Sequence, residues 1–191
     1  MLKSQFQKNL IEAGCDEVGR GCIAGPVIAA AVIMPPDYKN NNIMDSKKLS
    51  PKKREVVEKD IIKNARSWAI ASVSNNTIDK INILNASILA MHRALDKLDI
   101  KPEFILVDGN QFKQYKKLRY ECVIKGDNKY QNIAAASILA KNYRDKLMYD
   151  LSSSFDKYSW ETNFGYPTKK HRESIKEYGV TEYHRKSFKL L

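Results

Sequence analysis

Apolar and polar positions change period several times along the chain, and each change marks an element. Cys15 to Val18 and Val27 to Met34 are runs rich in Ala, Val and Ile, separated by Gly19, Gly21, Gly25 and Pro26. That is the pattern of two strands joined as a hairpin. Pro35 to Asn42, with two prolines and a cluster of asparagines, reads as a connecting loop. Ser50-Pro51 offers an N-cap followed by proline at the first helical position. It predicts a helix to about Lys63 with Val56, Val57, Ile61 and Ile62 on the apolar side. Ser67 to Val73 reads as a third strand. Leu84, Ile88, Met91, Leu95 and Leu98 step by four and three, one face of a second helix that ends before Pro102. Phe104-Ile105-Leu106-Val107 is a continuous apolar run, which predicts a strand buried on both faces. Tyr120 to Ile124 predicts another strand, and about Asn128 to Leu151 a long helix with Ala136, Leu139, Tyr143, Leu147 and Leu151 along one stripe. A last helix runs from about Thr168 to Tyr178 and stops at Gly179. Hairpin strands followed by strands alternating with helices predict an α/β domain with a mixed sheet and helices on its faces.

Composition narrows the class. The 191 residues suit one domain, and 43% hydrophobic with 29% charged residues excludes a disordered chain. Three cysteines, none in a C-x-x-C, argue against a disulfide scaffold or a zinc ribbon. No apolar run approaches the roughly 20 residues that span a bilayer. Met1 to Asn9 lacks the apolar core of a signal peptide, so the expected location is the cytoplasm. A net charge of +11 favours a polyanionic partner, nucleic acid first, although a merely soluble basic protein would carry the same charge.

Carboxylates stand where a core is expected. Asp16-Glu17 falls inside an apolar strand, and adjacent strand residues point to opposite faces. A buried carboxylate is costly unless it is paired or binds a metal. A solvent-facing Glu17 with Asp16 capping a turn fits the same residues. Asp108 ends the buried strand, the position where α/β sheets bind ligands. Asp108-Gly109 alone reads first as a turn. Asp127 precedes the long helix and suits an N-cap. Clustered oxygen ligands are also how hard divalent cations are held. Asp145, between Arg144 and Lys146, reads as a surface or ion-pairing residue. His92, His171 and His184 have no i, i+4 partner for a zinc set. No Ser-His-Asp arrangement, P-loop or dinucleotide fingerprint is visible.

The motifs in their order resemble bacterial ribonuclease HII. They are Asp16-Glu17-Val18-Gly19-Arg20-Gly21, Ala24-Gly25-Pro26-Val27, Asp45-Ser46-Lys47-Lys48-Leu49-Ser50 and Val107-Asp108-Gly109. Lys125-Gly126-Asp127, Ala135-Ala136-Ser137-Ile138-Leu139-Ala140-Lys141, Gly165-Tyr166-Pro167-Thr168 and His184-Arg185 follow. The match runs from about residue 11 to 188. It implies an RNase H-like fold, a five-stranded mixed sheet flanked by helices, in one catalytic domain with a small helical C-terminal part from about residue 152. It implies an endonuclease that hydrolyses the RNA strand of RNA/DNA hybrids and cuts 5′ of single ribonucleotides embedded in duplex DNA, leaving 5′-phosphomonoesters, as in ribonucleotide excision repair.

The resemblance assigns metal binding and catalysis to Asp16, Glu17, Asp108 and Asp127, with Mg²⁺ or Mn²⁺ as cofactor. Two such ions about 4 Å apart activate a water and stabilise the leaving oxygen. Without cations the carboxylates repel one another, which raises some of their pKa values. Gly19, Arg20 and Gly21 are expected to read the 2′-hydroxyl through the backbone. Tyr166 matches the family's junction-sensing tyrosine. Lys47, Ser137 and Lys141 look like phosphate contacts, Ser46 helps place the Lys47 loop, and His171 and Arg172 are expected to meet phosphate. Asp145 is read as supporting structure, and Cys15 and Cys22 as packing. Only about 10 residues precede the first strand, so the N-terminal substrate-binding domain of the sister ribonuclease HIII family is not expected. A monomer with no membrane partner is expected. The competing readings are a junction resolvase of the same fold and a non-catalytic nucleic-acid-binding domain.

Overall fold

Strand β1 (Glu12–Val18) is the middle strand of a five-stranded sheet of order β3-β2-β1-β4-β5. It pairs antiparallel with β2 (Val27–Ile33) and parallel with β4 (Phe104–Asp108). Strand β3 (Ser67–Val73) flanks β2 antiparallel, and β5 (Arg119–Val123) flanks β4 in parallel. The computed structural model describes residues 2–44, 46 and 49–191. The expected mixed sheet is therefore present. Strands β1, β4 and β5 run the same way, so their carboxyl ends share one edge, where α/β sheets place their ligands.

Alternation along the strands builds two cores. Ala13, Cys15, Val27, Ala29, Ala31, Ile105 and Val107 pack with α2 (Asn75–Ile81) and α3 (Ile83–Asp96). Ile28, Ala30 and Val32 face the other way, onto α1 (Pro51–Asn64) and α4 (Gln131–Ser152). Helix α4 comes unusually close to β1. A Cβ on Gly14 would lie 2.3 Å from the Asn132 carbonyl carbon, so any other residue there would push the helix away. Asn132 fastens the contact by donating to Glu12 O and accepting from Met34 N. The last part of the chain, with α5 (Trp160–Asn163) and α6 (Lys169–Tyr178), packs around Trp160 against Ile23, Ala24 and Met148.

Several helical details differ from the sequence reading. In α1 the buried stripe is Arg54, Val57 and Ile61, while Val56 is 69% exposed and Ile62 is also exposed. An arginine takes the inward position because it has polar partners: Asn142 Oδ1 at 2.9 Å and Asp145 Oδ2 at 2.9 Å. In α4 Tyr143 is exposed, and the buried positions of its second half are Arg144 and Met148. Helix α4 begins at Gln131, capped by Tyr130, so Asp127 is not its N-cap; it sits in a separate 3₁₀ turn, Gly126–Asn128. Helix α2 has no counterpart in the sequence reading, since only Ile78 and Asn75 of its seven residues are buried. The Ser50 cap, β3, and the Thr168 cap with its Gly179 stop fall as expected.

Candidate active site

Asp16, Glu17, Asp108 and Asp127 line one cleft of about 390 Å³. Three parallel strands deliver them. Asp16 and Glu17 lie in the last three residues of β1, Asp108 is the last residue of β4, and Asp127 follows β5 in the 3₁₀ turn. Cys15 pairs with Val107, so the next residues along, Asp16 and Asp108, leave the sheet side by side. Both continue the face covered by α4. The 3₁₀ turn is tied to β4: Gly126 N donates to Asp108 Oδ1 at 2.6 Å. Asp127 Oδ1 accepts from Asn128 Nδ2 at 3.0 Å.

The cleft is electrostatically strained. Burial, then the charges of Glu17 and Asp108, hold the Asp16 carboxyl well above the usual carboxylate range. A hydrogen bond with Ser137 and one from the Glu17 amide at 2.7 Å oppose this. Burial also raises Glu17, although Arg20 pulls it down with an ion pair at 3.1 Å; the charge of Asp108 adds to the rise. Glu17 Oε2 is buried without a hydrogen-bond partner. A buried, unpaired carboxylate oxygen beside two further acids is a poor arrangement for a cation-free fold and a good one for a hard divalent cation. The donor set, oxygen throughout, therefore fits Mg²⁺ or Mn²⁺. Among the described residues no three His, Cys, Asp or Glu side chains are drawn in tightly enough to make a closed ligand shell. The four acids stand around the cleft rather than at one point.

The same cleft is lined by Gly19, Arg20, Gly21, Ser46, Ser137, Lys141 and Tyr166. Helix α4 contributes Ser137 and Lys141 at i, i+4 spacing, which puts both on one face. Ser137 Oγ lies 3.0 Å from Ser46 Oγ, so a hydroxyl chain leads from Asp16 to the loop after Ile43. Lys47 lies outside the described residues. Lys141 pairs with Asp145 at 2.7 Å, and Asp145 pairs also with Arg54 at 2.9 Å. Asp145 thus supports Lys141 and stays out of the cleft lining.

Two buried arginines hold the glycine-rich loop. Arg185 donates from Nε to Gly25 O and from Nη1 to Arg20 O. Arg144 donates to Pro26 O, Phe164 O and Ala24 O at 3.0, 2.7 and 3.0 Å. Each is fully buried. The sequence reading missed Arg144 and left Arg185 as a motif residue. No periodicity marks a cation whose partners are carbonyls of distant loops. Tyr166 is held from three sides. Its amide donates to Asn163 O, its hydroxyl meets the Cys22 thiol, and its carbonyl accepts from His171 Nδ1 at 2.9 Å. Cys15 and Cys22 are fully buried, as packing residues would be.

His171 corrects the sequence reading. It has no solvent exposure, and its ring nitrogens are engaged by Tyr166, Trp160 and His184. A side chain enclosed in this way does not reach a phosphate. Arg172 donates to Lys189 O and Leu190 O, which ties down the C-terminal residues. His92 lies among the Phe112 and Tyr115 rings, a structural position.

Comparison with known proteins agrees with this geometry. The family model described as Ribonuclease HII matches residues 13–191. A protein named Ribonuclease HII from Phocaeicola vulgatus is 54% identical over 191 residues, covering 100% of this chain and 95% of that protein. The ribonuclease H2 of Pyrococcus horikoshii superposes with a TM-score of 0.80 at 25% identity, over 94% of each chain. The ribonuclease HII of Archaeoglobus fulgidus, solved in a complex with PCNA, gives a TM-score of 0.79 at 28% identity, over 95% of this chain and 96% of that one.

Proposed function

The chain belongs to the ribonuclease HII family and is a ribonuclease H endonuclease, and from that premise we propose how its own residues do the work. The substrates are RNA/DNA hybrids and duplex DNA carrying single ribonucleotides, cut on the 5′ side of the ribonucleotide. Asp16, Glu17, Asp108 and Asp127 hold the divalent cations, Mg²⁺ or Mn²⁺. When bound, those cations supply an activated water and stabilise the leaving 3′ oxygen. The observation that carries the reading is the shared cleft: all four acids line it together with the Gly19–Gly21 loop and Tyr166.

The remaining residues bind and orient. Gly19 has φ +95°, which sets the turn, and the absence of a side chain at Gly21, where a Cβ would stand in open space, lets the main chain approach a ribose and test its 2′-hydroxyl. Lys141 meets a phosphate flanking the scissile bond, with Asp145 fixing its direction. Ser137 and Ser46 donate hydroxyls on the same side. The Tyr166 ring packs on the sugar following the ribonucleotide, since it is 37% exposed and faces the cleft. The net charge of +11 draws the duplex in, so binding weakens steeply with salt. The chain works as one catalytic domain, its C-terminal helices completing the Tyr166 side of the cleft, in the cytoplasm and as a monomer. Among the described residues no helix is long and apolar enough to cross a membrane. Junction resolution and non-catalytic binding are not favoured, because the family match spans nearly the whole chain with all four acids present.

The test is a DNA duplex with one internal ribonucleotide, incubated with protein and Mg²⁺ or Mn²⁺. A single cut 5′ of the ribonucleotide, lost in Asp16→Asn and Asp108→Asn, is the expected result. Equal cutting of the all-DNA duplex would refute the reading.

A further inference from the structure

Behind Tyr166, away from the acids, lies a buried pair of histidines that the chemistry above does not use. His171 and His184 are both fully enclosed, and their Nε2 atoms lie 3.1 Å apart. They come from different places: His171 from the first turn of α6, His184 from the C-terminal segment that bridges to Ala24. Trp160 and Tyr158 wall the pair in, each ring touching both histidines.

The partners decide where every proton sits. Tyr166 O can only accept, so His171 Nδ1, at 2.9 Å, carries a hydrogen. Trp160 Nε1 can only donate, and it lies 3.1 Å from His171 Nε2, so that nitrogen is bare. His171 is therefore neutral, protonated at Nδ1. His184 Nε2 then carries a hydrogen aimed at His171 Nε2, whose one lone pair it shares with Trp160. At the other side of the second ring, Thr181 N donates to His184 Nδ1 at 2.9 Å, so that nitrogen is bare as well. Both rings are neutral and each is held in a single tautomer. The hydrogen bonds run one way, from Thr181 through His184 and His171 to the Tyr166 carbonyl. Neither ring can change tautomer without placing two donors, or two acceptors, face to face.

We propose that His171 and His184 are positioning residues for Tyr166. Their one-directional relay fixes the backbone of the tyrosine that reads the ribonucleotide–deoxyribonucleotide junction. The carbonyl that His171 holds belongs to Tyr166 itself and also accepts from Thr168 N at 2.8 Å, so both the residue and the start of α6 are set by it. The inference rests on the junction role given above to Tyr166. It goes beyond that role by assigning selectivity to two residues that never touch the substrate. Small displacements far from reacting atoms are known to cost up to about 100-fold in rate.

The experiment compares kcat/KM on a duplex with one ribonucleotide against kcat/KM on a continuous RNA/DNA hybrid. His171→Leu removes the donor to Tyr166, whereas His171→Asn keeps an amide N–H near the Nδ1 position. The proposal expects His171→Leu to lower the ratio about tenfold or more, with His171→Asn restoring most of it and hybrid cleavage little changed in both. Tyr166→Ala is the control for the reading underneath. If Tyr166→Ala lowers the ratio but His171→Leu does not, the relay is overturned and the junction role stands. If Tyr166→Ala leaves the ratio unchanged, the junction role itself fails. Nitrogen-15 NMR of the wild-type imidazoles tests the relay without any mutation. A hydrogen on Nδ1 of His171 and on Nε2 of His184 at neutral pH supports it; the opposite tautomer in either ring contradicts it.

Discussion

Gly19 and Arg144 cannot both keep their places if Gly19 gains a side chain: a Cβ there would lie 2.3 Å from Arg144 Nε. The guanidinium occupies the space under the loop and from there donates to Ala24, Pro26 and Phe164. One side chain thus joins the glycine-rich loop to the segment leading into Tyr166. Gly19→Ala should displace it and also strain a backbone at φ +95°. The expected loss is about 1–3 kcal/mol of stability, with a fall in cleavage of both substrate types. Thermal unfolding and steady-state kinetics of the variant check this.

Asp16 is held against its own preference. Burial and its acidic neighbours raise its pKa in the folded chain above the unfolded value. The sign follows from linkage: the folded state binds the proton more tightly, so the metal-free protein loses stability as pH rises past the unfolded value. Asp16→Asn should therefore raise the melting temperature of metal-free protein at neutral pH, by about 1–2 kcal/mol in free energy, while abolishing cleavage. Added Mn²⁺ should stabilise the wild type and leave the variant nearly unmoved. A variant that melts lower than wild type without metal would contradict this account of the cleft.

Asp145 serves two cations, Lys141 at 2.7 Å and Arg54 at 2.9 Å, from a position that is itself nearly buried. Removing it leaves Arg54 enclosed beside Asn142 and Ser46 O without a counter-charge. Asp145→Ala should cost about 3 kcal/mol, and the freed Lys141 should show as a raised KM with a smaller change in kcat. Denaturant unfolding and a kcat-against-KM comparison separate the two effects.

The acid limb of stability should carry a histidine signature. Burial and the neighbouring His171 push the His184 pKa down to about 4. The folded chain thus resists a proton that the unfolded chain accepts at about 6.5. Stability is then complete above the unfolded value and falls as pH drops towards 4. His184→Gln should flatten this decline. Melting curves between those pH values on wild type and variant are the check.

Most of the sheet and the acids were legible in the sequence because both leave local marks. An apolar run such as Phe104 to Val107 announces a buried strand, and Asp108 at its end announces a polar event there. The family motifs then named the four acids, which the residues alone left open between turns, caps and ligands. The buried arginines and His171 were illegible for a common reason. Arg54 and Arg144 take inward helix positions that hydrophobic periodicity reserves for apolar residues, Arg185 lies in an irregular segment without a period, and the partners of all three are carbonyls and side chains far along the chain. His171, at the start of a basic helix, looked like a phosphate contact. Only the packing of Trp160 and His184 around it reveals an interior residue.

The central claim is that Asp16, Glu17, Asp108 and Asp127 share divalent ions in one cleft. Crystals soaked in Mn²⁺ and measured at the manganese absorption edge test it most directly. The account predicts anomalous peaks within coordination distance of these four carboxylates, lost in Asp16→Asn and Asp108→Asn. Manganese bound elsewhere, with the cleft unchanged, would contradict it.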